Sequence, residues 1–85
     1  MTAFDARLRI LGQRGFPLGV EVDLTDERMV VTNGGQQIAD WSFNDIAIYP
    51  TASGYRIDAE GEEVILNVTD PKRFAAEIGD KVRQL

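Results

Sequence analysis

The sequence predicts a small, mainly β domain in which seven antiparallel strands are followed by one C-terminal helix. Three observations carry this. Apolar and polar residues alternate with a period of two from residue 6 to residue 68, broken at regular intervals by Gly, Pro, Asn and Asp. Beyond Asp70 the apolar residues shift to the spacing of one helical face. The 85 residues, 44% hydrophobic and 27% charged, match one small core and leave no room for a second.

Each element follows from local chemistry. Leu8 and Ile10 alternate with Arg7 and Arg9, giving a first strand over 6–11. Residues 12–19 are too rich in Gly and Pro to be other than a loop. Val20, Val22 and Leu24 alternate with Glu21 and Asp23, a half-buried second strand over 20–24. Thr25-Asp26-Glu27 turns the chain into a third strand, 28–33, which is followed by a fourth, 36–41.

The hairpin between those two strands can be read at the level of register. A three-residue loop, Asn33-Gly34-Gly35, pairs Thr32 with Gln36, Val30 with Ile38 and Arg28 with Asp40. It aligns Met29 with Ala39 on the other face and brings Trp41 in behind them. A two-residue loop would set Met29 against Asp40 and Arg28 against Trp41, mixing core and solvent on both faces. The three-residue loop is therefore expected.

Ser42-Phe43-Asn44-Asp45 reads as an irregular bend, leading to a fifth strand over 46–49 that Pro50 should stop. After a turn at 51–54, Tyr55, Ile57 and Ala59 alternate with Arg56 and Asp58 in a sixth strand, 55–59. Glu60-Gly61 is a hairpin turn, and the seventh strand, 63–68, points Val64, Leu66 and Val68 inward. Asp70 then suits an N-cap and Pro71 the first helical position. Phe74, Ala75, Ile78, Val82 and Leu85 share one face of a helix over 71–84. Gly79 inside that helix costs about 1 kcal/mol relative to Ala, which close packing against the sheet would explain.

Composition removes several classes of chemistry. Cysteine and histidine are both absent. That argues against zinc, against a thiolate or imidazole-assisted nucleophile and against a histidine pH switch. No metal, cofactor or catalytic residue is expected, and the chain is not read as an enzyme. Asp5, Arg7 and Arg9 interrupt the first apolar stretch, unlike a signal peptide, and no window approaches the roughly 20 apolar residues of a membrane span. A soluble cytoplasmic protein is expected, with no membrane as partner. The net charge is −5, with basic ends and an acidic middle: residues 20–70 hold eleven acidic side chains against two basic ones. Such a body repels phosphate backbones, so nucleic acid is not an expected partner.

The strand order, with Trp41-Ser42-Phe43-Asn44-Asp45-Ile46 leading into strand five and Thr69-Asp70-Pro71-Lys72-Arg73-Phe74 opening the helix, resembles the small bacterial pleckstrin-homology-like (PH-like) proteins. The likeness runs over nearly the whole chain, 1–85, as a single domain. It implies a split barrel of two near-orthogonal antiparallel sheets, capped at one open end by the helix. It also implies a domain that binds lipid headgroups, peptides or copies of itself rather than one that catalyses. Two features depart from the pattern. Eukaryotic members carry a Trp in the C-terminal helix, whereas Trp41 lies on a strand. Phosphoinositide-binding members place several basic residues around the first loop, whereas this loop offers Arg14, beside Arg7 and Arg9 of the first strand.

The candidate sites are few. The loop 12–19 has neither a dinucleotide nor a P-loop glycine pattern. Asp58-Ala59-Glu60-Gly61-Glu62-Glu63 lacks the ligand spacing of a calcium loop and reads as a charged hairpin tip. The expected register places Trp41 in the core rather than on a stacking platform. What stands out is apolar residues turned outward: Val30 and Ile38 facing each other, with Tyr49 and Ile65 on outward positions of their strands. The expected function is thus a non-catalytic protein-interaction or self-association module using Val30, Ile38, Tyr49 and Ile65. The alternative is a small-ligand or lipid-headgroup binder using the 12–19 loop with Arg14.

Overall fold

The computed structural model describes residues 2–10, 17–52 and 54–81. The strands are β1 (Thr2–Ile10), β2 (Leu18–Leu24), β3 (Arg28–Asn33), β4 (Gln36–Ser42), β5 (Ile46–Thr51), β6 (Gly54–Ala59) and β7 (Glu62–Val68). They form one antiparallel sheet in the order β4-β3-β2-β1-β7-β6-β5, curled into a half-barrel. β1 is the join: Thr2–Leu8 pairs with β2, and Ala6–Ile10 pairs with β7. A 3-10 turn, Phe43–Asp45, links the two edge strands β4 and β5. The helix α1 (Pro71–Ile78) follows β7 and tightens into a 3-10 turn over Gly79–Lys81. Among the described residues no helix is long and apolar enough to cross a membrane.

The period-two pattern sorts the two faces of the sheet. Inward positions such as Phe4, Val22, Met29, Ile48, Ile57 and Leu66 are buried, and no polar or charged side chain among the described residues is. Trp41 is half-buried and packs against this core, as does Phe43. The helix closes over the same side. Asp70 Oδ1 accepts from the Arg73 amide at 3.3 Å, fixing the first turn. The Thr69 amide and hydroxyl both donate to the Asp5 carbonyl at 2.9 Å, tying the helix start to β1. Phe74 then stands edge-on to Phe4 (centroids 5.0 Å, 82°) and lies 5.2 Å from Tyr55. At the far end the Lys81 ammonium sits 5.1 Å from the centre of the Phe43 ring. With its inner face covered in this way, the sheet presents its outer face to the surroundings.

Several boundaries differ from the sequence expectation, each for a physical reason. β1 begins at Thr2 rather than residue 6, because Phe4, 3% exposed, extends the inward series of Ala6 and Leu8. Leu11 lies outside the described residues. Pro50 does not stop β5 but lies within it, paired with Tyr55. β5 is an edge strand, where a missing N–H on the open side breaks no ladder. The α-helix ends at Ile78, short of 84, and residues 82–84 lie outside the described residues.

Gly79 is not a close-packing position. It is exposed, right-handed helical (φ −53, ψ −39), and a Cβ built on it would meet nothing within 4 Å. Gly79→Ala should therefore raise stability by about 0.5–1 kcal/mol by narrowing the unfolded ensemble. Urea unfolding measures this, and a lower midpoint for the alanine variant would contradict the account.

The β3–β4 register also differs. Gly34 and Gly35 form a two-residue turn with φ of 59° and 84°, so Asn33 pairs with Gln36 and Thr32 with Gln37. Two positive φ values match the right-handed sheet twist, and glycine adopts them without steric cost. The ladder then shifts between Val31 and Thr32, leaving Ile38 as an extra residue on β4. Beyond it Val31 pairs with Ala39, Val30 with Asp40, Met29 with Trp41 and Arg28 with Ser42. The bulge returns Met29 and Trp41 to one face, which an uninterrupted two-residue register would have prevented. Arg28 and Asp40 still meet, diagonally, with Nε 2.6 Å from Oδ1. Both are substantially exposed, so the pair contributes at most about 1 kcal/mol.

Candidate functional site

Antiparallel pairing sets outward residues of successive strands side by side, about 4.8 Å apart. On the β5–β6–β7–β1 half this builds one continuous row. Tyr49 pairs with Arg56, Arg56 with Ile65, and Ile65 with Arg9. The Arg56 guanidinium lies over the Tyr49 ring, 4.5 Å from its centre, and its Nε is 3.4 Å from Asp58 Oδ1. Neither of those two atoms has a hydrogen-bond partner among the described residues. Arg7, two residues before Arg9 and on the same face, pairs with Asn67. Among the described residues neither Arg7 nor Arg9 has an ion-pair partner, and both are exposed.

Gly54 keeps this half of the sheet tightly packed. At φ +154°, a Cβ there would collide with the Leu66 carbonyl and lie 2.5 Å from Asn67 Oδ1. The close approach thus requires glycine.

The opposite half of the outer face has a different character. Val30 is half-buried on β3, flanked by Asp40 on β4 and Asp23 on β2. Its expected partner Ile38 is not opposite it: Ile38 is the bulged residue, 43% exposed. The four outward apolar residues therefore do not share one row. Tyr49 and Ile65 belong to the arginine-bearing row, and Val30 lies beyond β1 and β2, between two carboxylates. Arg14 lies outside the described residues.

Shallow hollows also lie among the described residues. One, about 550 Å³, lies over Asp5, Glu21, Thr32 and the glycines 19, 34 and 35, with Asp5 and Glu21 directly paired across β1 and β2. Another, about 380 Å³, is lined by Asp45, Asp58, Glu60, Glu62 and Glu63 around the β6–β7 turn. Among the described residues no three side chains converge as a metal site.

Period-two alternation alone assigns Tyr49 and Ile65 to the outer face and does not join them to Arg56 and Arg9. The alternation reports which face a residue takes. The row depends on β1 pairing with β7, a contact between distant parts of the chain. A scan against protein-family models returned no matching model, and searches of curated proteins and of solved structures returned no match.

Proposed function

We propose that this chain is a non-catalytic protein-interaction module of the PH-like class that contacts its partner through the outer row Tyr49–Arg56–Ile65–Arg9. The observation that carries the reading is the row itself: an aromatic ring, an aliphatic side chain and two guanidinium groups aligned across four strands. Tyr and Arg are enriched in protein interfaces because each joins contact area to directional polar groups. The helix occupies the other face of the sheet, which leaves this one for a partner. The PH-like class finds support in β1, whose first half pairs with one leaf and second half with the other. That is the connection expected where two near-orthogonal sheets meet.

Photo-cross-linking in the native host tests this. Benzoyl-phenylalanine at Ile65 or Tyr49 should yield a protein adduct of discrete mass. The same group at Thr25, in the exposed β2–β3 turn, should not. Equal or absent adducts at all three positions would reject the interaction face.

A further inference from the structure

Resting on that reading, we propose that the row's partner is a second copy of this chain, which inserts its acidic β6–β7 hairpin end against Arg7, Arg9 and Arg56. The argument is one of unmatched charge. Asp45, Asp58, Glu60, Glu62 and Glu63 gather around the turn at Glu60-Gly61, and among the described residues no cation lines the hollow they share. Arg7 and Arg9 form the converse surplus, a pair of exposed guanidinium groups without a carboxylate among the described residues. Among the described residues, Asp58 is the one member of the acidic group that meets a cation, at Arg56.

Arg7 and Arg9 stand about 6.8 Å apart along one strand, and Arg9 and Arg56 about 10 Å apart across two strand intervals. Asp58 and Glu63 are paired across the hairpin, about 5 Å apart on the outer face, and Glu60 and Glu62 flank them at the turn, so the long arginine and glutamate side chains must span the remaining difference. A narrow hairpin end can seat on a convex sheet face, where a second broad sheet would touch only along a line. Ile65, between Arg9 and Arg56, supplies apolar contact at the centre. The net charge of −5 on each copy opposes approach at long range. At about 0.1 M salt, charges separated by more than roughly 10 Å are screened, and contacts at the interface decide.

Sedimentation equilibrium on the full chain tests the pairing. At about 0.1 M salt the weight-average mass should rise with concentration above the 9.4 kDa of one chain, and it should fall back in about 1 M salt. Arg7→Glu/Arg9→Glu and, separately, Glu60→Lys/Glu62→Lys/Glu63→Lys should each weaken self-association at least tenfold, with unchanged circular dichroism. Mixing the two charge-swapped variants should restore association, which loss of folding could not do. Arg7→Gln/Arg9→Gln serves if the reversed variant does not fold. A wild type that stays monomeric, or a mixture that does not associate, overturns the pairing. If in that case the Ile65 cross-link captures a different protein, the interaction face stands and only its occupant was wrong.

Discussion

Phe74→Ala should lower stability by about 3–5 kcal/mol, the range for truncating a fully buried aromatic side chain. Phe74 is 0% exposed and makes ring contacts with Phe4 on β1 and Tyr55 on β6. It and Ile78 are the buried residues of α1, so its loss removes much of what holds the helix to the sheet. The cost should therefore exceed simple transfer, because the helix shelters core residues that water would then reach. For a domain of this size each kcal/mol is worth roughly 4–8 °C, so the melting temperature should fall by tens of degrees. Calorimetry measures it. A drop of only a few degrees would mean that the helix contributes little to the core.

Gly54→Ala should cost about 2–4 kcal/mol, although it adds a single methyl group. Two effects act together. The backbone at φ +154° is one that L side chains rarely adopt, and the new Cβ would meet the Leu66 carbonyl and the Asn67 side chain. The carbonyl is fixed by the strand, so relief requires β6 and β7 to separate at that point. Asn67→Ala in the same background removes the side-chain part of the clash and should recover only a fraction of the loss. Full recovery in the double variant would place the strain in the Asn67 side chain rather than in the backbone.

How much of this was legible in the sequence depends on range. Strand identity was legible because alternation is a local signal, and the inward series through Val22, Ile57 and Leu66 holds throughout. The helix start was legible because Asp70 and Pro71 act within one turn. The β3–β4 register is not legible from loop length alone, because the ladder shifts between Val31 and Thr32. A bulge at Ile38 allowed the tighter Gly34-Gly35 turn and the correct faces together. The tolerance of Pro50 is not legible locally, because it depends on β5 being an edge, which the sheet order decides. Alternation puts the half-buried Tyr49 and Ile65 on the outer face, but their alignment with Arg9 depends on the β1–β7 pairing.

That pairing also orders events while the chain is being made. Strands β1 to β4 can zip together as successive neighbours as soon as they leave the ribosome, whereas the stretch Ala6–Ile10 must wait for β7. Closing so long a loop is entropically costly and slow compared with forming a hairpin. Throughout that interval β1 has one bare flank, the kind of backbone that recruits stray strands from other nascent chains. Arg7 and Arg9 stand along that flank, and like charges on a neighbouring chain repel. The two arginines thus guard an unfinished sheet before they have any role on a finished one.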